Sequence, residues 1–176
     1  MINSDILIRP ATENDLPEIL AIYNDAIINT TAVYNYTPHT LAMRKEWFEQ
    51  KMIDRLPVFV AECTHEVIGF STYGPFRAWA AYKYSIESSV YISPEHRGQG
   101  IGKLLIPPLI AEARHKQLHT IVAGIDASNI ASIKLHQNFG FSEVGRFKQV
   151  GYKFGKWLDL VFLQLILDTP EHPTET

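Results

Sequence analysis

The chain has 176 residues, a length that fits one compact domain rather than two. A hydrophobic share of 46% beside 20% charged residues excludes a disordered or collagen-like chain. With 16 Lys+Arg against 19 Asp+Glu the net charge is -3, so no global positive field draws in nucleic acid or an anionic membrane, and any anion must be held by a local site.

Ile6-Leu7-Ile8-Arg9 reads as a short strand, and Thr12 can cap a helix on which Leu16, Ile19, Leu20, Tyr23 and Ile27 keep helical spacing. The first basic residue is Arg9 and no apolar run follows it, so neither a signal nor a transit peptide is visible. Without secretion the sequons at Asn29 and Asn35 carry no weight. Residues 26–43 lack Asp, Glu, Lys and Arg, yet are too rich in Asn, Thr, Tyr, His and Pro to span a membrane. After the aromatic loop 29–38, a second helix is expected over 41–54. Residues 58–61 and 67–73 flank the polar turn Cys63-Thr64-His65-Glu66, an antiparallel hairpin signal. Cys63 is the single cysteine, which excludes an internal disulfide or a CxxC centre and fits a reducing cytoplasm.

Residues 85–92 form the next strand. A turn-rich loop over 94–102 then feeds an apolar-periodic helix over 101–116 and a strand over 120–125, a β-loop-α-β unit. Pro107 and Pro108 fall inside that helix and predict a kink or a late start. Residues 129–138 read as a helix ended by Gly140 in a left-handed cap, followed by strands over 141–148 and 153–167. Strands outnumber helices and most connections are hairpins, which predicts an α+β fold with a mixed sheet and helices on its faces. Residues 1–167 form the domain; 168–176, rich in Pro, Thr and Glu, form a frayed tail.

The most informative segment is Arg97-Gly98-Gln99-Gly100-Ile101-Gly102-Lys103, between strand and helix. Alternate glycines permit positive φ and close backbone approach, so successive N–H groups can converge on an anion at the positive helix end. Arg97 and Lys103 add local charge. A dinucleotide GxGxxG would need a third glycine at 103 or 105, where the chain has Lys103 and Leu105. A Walker A loop would need Gly at 97 and Ser or Thr at 104, where Arg97 and Leu104 stand. The bland alternative is a tight turn into a helix.

This segment resembles the acetyl-CoA pyrophosphate loop of the GCN5-related N-acetyltransferases, Gln/Arg-x-x-Gly-x-Gly/Ala. Gly74-Pro75-Phe76-Arg77, Ala81-Tyr82, residues 85–91 and residues 129–136 with Phe139-Gly140-Phe141 are similar to the phosphinothricin and methionine sulfoximine acetyltransferase branch. The likeness runs over 6–167. It implies the GNAT fold, with a largely antiparallel sheet of about seven strands flanked by helices. It also implies acetyl-CoA as donor with no metal, and a homodimer with sites near the interface.

Transfer to an amine requires a neutral nitrogen, and a carboxylate is the usual proton acceptor. Glu87 is the only acidic residue between Glu66 and Glu95, and alternation places Ser85, Glu87, Ser89 and Tyr91 on one face of its strand and Ile86, Val90 and Ile92 on the other. The family's matching Glu acts directly or through water; an edge-strand Glu pointing to water is the alternative. Asn129, Ser132 and His136 share one helical stripe. His136, where most of the superfamily has Tyr, could protonate the departing sulfur or assist the base; a packed histidine is the alternative. Asn129 and Ser132 match the region that meets the pantetheine arm, and Asn129 could simply be a helix cap.

By the same resemblance, the backbone of Val90, Tyr91 and Ile92 pairs with the pantetheine amides, and the Val90 N–H polarises the thioester carbonyl. The loop from Arg97 through Gly98, Gln99, Gly100, Ile101 and Gly102 to Lys103 takes the diphosphate. Tyr73, Phe76, Arg77, Trp79, Tyr82 and Tyr84 gather an acceptor pocket to which Tyr34 and Tyr36 could add; an aromatic surface patch or dimer contact is the other reading. Arg77 suits a carboxylate, hence an amino acid. His115 and His119 lack the Glu of HExxH and are assigned to the surface. The expected activity is acetylation of the α-amine of a small amino-acid-like compound in a ternary complex. The alternatives are a protein N-terminal or polyamine acetyltransferase and a non-catalytic acyl-CoA-binding module.

Overall fold

The computed structural model describes residues 6–175. Strands β1 (Ile6–Pro10), β2 (Val58–Cys63), β3 (Glu66–Pro75), β4 (Ser85–Ile92), β5 (Thr120–Asp126), β6 (Ser142–Lys153) and β7 (Lys156–Ile166) form one seven-stranded sheet in the order β1-β2-β3-β4-β5-β7-β6. Four helices accompany them: α1 (Leu16–Asn29), α2 (Leu41–Ile53), α3 (Gly102–His115) and α4 (Ile130–Gln137). The pairs β1–β2, β2–β3, β5–β7 and β6–β7 are antiparallel, and β4–β5 is parallel, as its helical crossover through α3 requires. The described residues pack as two compact units, one made of residues 6–72 with Val90–Pro107, the other of Tyr73–Ser89 with residues 108–175.

In the first unit, alternation along β2 sends Val58 and Val60 to one face and Phe59 and Ala61 to the other. The first face meets Leu16, Ile19 and Ile22 of α1 and Phe48 of α2, with Phe70 and Tyr91 completing the layer. Ala61, Ile68, Ile101 and Leu105 build the second core, flanked by Val90 and Ile92. Each fully buried Val, Leu, Ile or Phe contributes about 1.5–3 kcal/mol relative to exposure. The residue after β1 does not open an α-helix directly. Thr12 precedes a short 3-10 turn, its N–H donating to Asp15 Oδ2 at 2.6 Å, and α1 starts at Leu16. The β2–β3 hairpin turns on Thr64 and His65, both with positive φ (52° and 67°), the pair a two-residue type I′ turn demands.

Helix α3 starts at Gly102 and runs unbroken through Pro107 and Pro108, which corrects the expected late start. The prolines remove only the donors to the carbonyls of Lys103 and Leu104, while the first turn is set earlier by Lys103 N–H to Gly100 O (2.9 Å) and Leu104 N–H to Ile101 O (2.9 Å). The buried hydroxyl of Ser71 donates to the Leu105 carbonyl at 3.0 Å.

In the second unit β5 reads as a near-continuous apolar run because both its faces are covered. Its partners are fixed by register: Ala123 opposite Leu163, Gly124 opposite Phe162, Val122 opposite Gln164. Strand β6 continues to Lys153 rather than ending near 148, and β7 begins at Lys156. The expected break is an irregularity between Phe147 and Gly151, where Gln149 has φ 53°; the turn itself is Phe154-Gly155. Gly140 has φ 88°, the left-handed conformation expected of it. Beyond β7 the segment has no regular structure, as a frayed tail would, but it is tied down: Thr169 Oγ1 donates to Leu118 O (2.5 Å), His119 Nδ1 to Thr169 O (2.8 Å), and Thr174 N–H to Tyr84 Oη (3.0 Å).

Candidate active site

The glycine loop follows a 3-10 turn at Pro94–His96, pinned by Ser93 N–H to Ile68 O (2.9 Å) and by a 2.7 Å contact between Ser93 Oγ and His96 Nδ1. Gly98 and Gly100 have φ of 76° and 86°, and a Cβ on Gly98 would meet nothing within 4 Å. An open, left-handed main chain at a helix start suits a diphosphate. The side chains are otherwise engaged. Arg97 Nε donates to Ile92 O (3.2 Å) and its Nη2 pairs with Asp25 Oδ2 of α1, so its charge is not turned to the loop as expected. Gln99 Nε2 bonds back to Glu95 O (2.9 Å), and Ile101 is a core residue at 1% exposure. Lys103 is exposed. Val90 and Ile92 turn their side chains into the second core, while Tyr91 packs on Phe70 and Tyr23 with centroids 5.0 and 5.4 Å away.

Glu87 lies opposite Val122 in the short β4–β5 ladder, which covers only Ser85–Glu87 and Thr120–Val122. Its carboxyl reaches over Gly124: a Cβ there would lie 3.0 Å from Glu87 Oε1 and 3.4 Å from the Phe162 ring. Burial raises the Glu87 pKa above the ordinary carboxylate value, and the Arg77 charge brings it part of the way back. Ser85, on the same strand face, borders a cavity of about 410 Å³ walled by Phe76, Arg77, Tyr82 and residues of β5, β6 and β7. The Arg77 guanidinium sits 4.1 Å from the Phe76 ring centroid and donates to Phe76 O at 2.7 Å; Tyr82 stacks edge-on against Phe76 at 5.7 Å.

Of the aromatic residues expected to meet the acceptor, Phe76 and Tyr82 line this cavity. Tyr73, at 1% exposure, does not: β3 is buried over Val67–Tyr73, so its ring is a core element. The Tyr84 hydroxyl is engaged with Thr174, donating to its carbonyl at 3.0 Å. Trp79, at 72%, and Tyr36, at 70%, are open to solvent; Tyr34 is also exposed, and all three are outside the lining. Thr120, Val122, Phe162 and Gln164 line the cavity without having been singled out in the sequence. Two-residue alternation from Gly124 and Glu87 would have found them, but only once the strand order was known.

On α4, Asn129 Oδ1 accepts the Ser132 N–H (3.1 Å), the capping geometry. His136 is buried, its ring edge-on to Phe141 at 5.2 Å, with Nδ1 2.8 Å from Ser132 O. A carbonyl can only accept, so Nδ1 carries the proton, and burial lowers the pKa; the ring is neutral with an unprotonated Nε2. His115 and His119 are exposed, and the described residues contain no group of His, Cys, Asp and Glu that could hold a metal ion.

The family model for the acetyltransferase (GNAT) domain matches residues 8–162. The chain belongs to the GNAT acetyltransferase family. A GNAT relative from Pseudomonas paraeruginosa, named L-methionine sulfoximine/L-methionine sulfone acetyltransferase, is 48% identical over 92% of this chain and 94% of its own length. Among solved GNAT-like structures, ribosomal-protein-alanine N-acetyltransferase from Brucella melitensis is 52% identical with a TM-score of 0.90, covering 92% of this chain and 99% of its own. A GNAT superfamily phosphinothricin acetyltransferase from Sinorhizobium meliloti, in complex with AcCoA, is 35% identical with a TM-score of 0.90, covering 93% and 89%. The mixed, largely antiparallel seven-stranded sheet expected from the sequence is the sheet of this GNAT chain.

Proposed function

We propose that this GNAT acetyltransferase moves the acetyl group of acetyl-CoA to the α-amine of a small amino-acid-like acceptor of the methionine sulfone, methionine sulfoximine or phosphinothricin type. One observation carries the reading: a half-buried Glu87 carboxyl with a raised pKa, on the same sheet face as a cavity holding Arg77. The names of the Pseudomonas and Sinorhizobium relatives agree with it. Acetyl-CoA supplies an activated thioester.

Main-chain N–H groups over Gly98–Gly102, with Lys103, hold the diphosphate. The main chain of Val90, Tyr91 and Ile92, outside the ladder with β5, pairs with the pantetheine arm, and the Val90 N–H donates to the thioester carbonyl. Arg77 grips the acceptor carboxylate, and Glu87 accepts the ammonium proton. The neutral amine then attacks the thioester carbon directly, with both substrates bound and no acyl-enzyme; the C–S bond breaks, and the amine's remaining surplus proton passes to the departing coenzyme A thiolate. Asn129 and Ser132 face the arm only as far as their capping bond allows. His136, neutral with Nδ1 committed to Ser132 O, can accept a proton at Nε2 but has none there to give, so it does not protonate the sulfur.

Gly124 leaves the space that the base occupies. Gly124→Ala should displace the carboxyl and lower kcat roughly ten- to hundredfold while the acetyl-CoA KM stays within about twofold, read by steady-state kinetics.

The protein works as a cytoplasmic homodimer. Val144, Phe147, Val150, Phe154 and Trp157 on the β6–β7 hairpin are each more than half exposed, and β6 is an edge strand, which suits self-association. Sedimentation at micromolar concentration should give twice the chain mass. No helix among the described residues is long and apolar enough to cross a membrane, and Cys63 is half-buried.

A second reading, acetylation of protein N-terminal alanine, draws on the name of the Brucella melitensis protein. Thiol release from acetyl-CoA with free amino-acid analogues, alanine-initiated peptides and polyamines decides between them. Release with the free analogues supports the first reading, release with peptides alone the second, and no release with any acceptor overturns both.

A further inference from the structure

The cavity beside Arg77 is lined mainly by apolar and aromatic side chains, with Ser85, Thr120 and Gln164 among them. Ser85 and Thr120 are register partners on β4 and β5, and Val122, two residues on from Thr120, is the register partner of Gln164 on β7. Cross-strand partners and i, i+2 neighbours share a face, so Ser85, Thr120 and Gln164 stand together on the face that carries Glu87. Adjacent strands are about 5 Å apart, which sets Gln164 roughly 10 Å from the Glu87 backbone. An amino acid of methionine length, about 6 Å from α-amine to side-chain head, covers that span with a hydrogen bond of about 3 Å at one or both ends. Among the described residues, none of these three side chains makes a hydrogen bond to the protein, although all three border the cavity. Three unengaged polar groups in a largely apolar pocket are placed to receive a ligand atom.

The charges narrow the class of ligand. Arg77 is the only charged side chain in the lining among the described residues. Resting on the acetyltransferase reading above, Arg77 is taken by the acceptor carboxylate, and nothing is left to neutralise a second anion. An anionic head group would exchange water for neutral donors and aromatic walls, a desolvation that hydrogen bonds from a hydroxyl and an amide do not fully offset. An apolar head group would bury the Gln164 amide without a partner. A neutral head group bearing strong acceptor oxygens meets neither cost.

We propose that Gln164, with Thr120 and Ser85, determines acceptor specificity by hydrogen-bonding the distal end of the side chain, and that the cavity selects neutral oxygen-bearing heads, such as a sulfone, sulfoximine or carboxamide, over anionic or purely apolar ones.

The test is kcat/KM on matched acceptors: methionine sulfone against methionine, glutamine against glutamate, and phosphinothricin. Wild type should favour the neutral polar member of each pair by about tenfold or more, the ratio of one well-made hydrogen bond. Gln164→Leu should lower kcat/KM for methionine sulfone about tenfold and for methionine less than about threefold, with acetyl-CoA KM unchanged. Thr120→Val should move the same ratio in the same direction. Gln164→Arg should raise the phosphinothricin to methionine sulfone ratio by supplying the missing charge. Equal loss on every acceptor, or wild type that uses phosphinothricin as well as methionine sulfone, overturns the proposal. Wild type that acetylates none of these compounds overturns the functional reading beneath it; wild type that is active with ratios unmoved by Gln164 variants overturns this inference alone.

Discussion

Glu87→Gln should lower kcat by about 10² to 10⁴, the range that a positioned proton acceptor contributes, while acetyl-CoA affinity by calorimetry stays near wild type. The amide keeps the shape of the side chain over Gly124 and loses only the capacity to take a proton. In the wild type, log kcat/KM should rise with pH through the Glu87 pKa, and the limb should lie above the ordinary carboxylate range because burial raises that pKa. The variant should lack that limb. The same shift has a stability consequence of determined sign. A carboxyl whose folded pKa is raised adds stability below its unfolded pKa and loses it as pH rises through the folded value. Glu87→Gln should therefore melt higher than wild type at pH 8, with the difference fading near pH 4. A variant as fast as wild type across pH 6 to 9 removes Glu87 from the chemistry.

Arg77→Ala should raise the KM for carboxylate-bearing acceptors by roughly a hundredfold, as expected for loss of a charge-assisted, bidentate contact. Amines without a carboxylate should be affected far less. The substitution reaches the base as well. Arg77 is the charge that holds the Glu87 pKa down against burial, so its removal should move the acid limb to higher pH. A KM change without that displacement would mean that the guanidinium, resting on the Phe76 ring and bonded to the Phe76 carbonyl, acts on the acceptor alone.

Local patterns carried most of the architecture. The period-2 run 85–92 and the helical periodicity after the glycine loop became β4 and α3, because both are set by near neighbours in the chain. Where local pattern misled, a non-local contact or a local exception was responsible. Gly151 and a left-handed Gln149 imitate a turn inside β6, but the chain returns to its ladder with β7 past the irregularity. Pro107 and Pro108 sit late enough in α3 to spare its first turn. Tyr73 belongs by composition to an aromatic cluster and by burial to the core; the seven-residue buried run of β3 overrides the polar hydroxyl. Arg97 looked free for a phosphate because Asp25 stands 72 residues earlier and only the fold brings them together. The lining of the cavity beside Arg77 was illegible for the same reason. Ser85, Thr120 and Gln164 lie on separate strands, and their meeting follows from a strand order in which β7 intervenes between β5 and β6.

The engagement of Arg97 with Asp25 bears on how the cofactor is captured. With that guanidinium spent internally, the loop offers its guest fixed peptide dipoles and the ammonium of Lys103. Dipoles at short range are little disturbed by dissolved ions, whereas attraction between mobile charges fades within about 10 Å at 0.1 M ionic strength. On the functional reading proposed above, uptake of the donor should vary only weakly as potassium chloride is raised. The enzyme would then keep its hold on a polyanion under ionic conditions that strip one from a purely cationic surface.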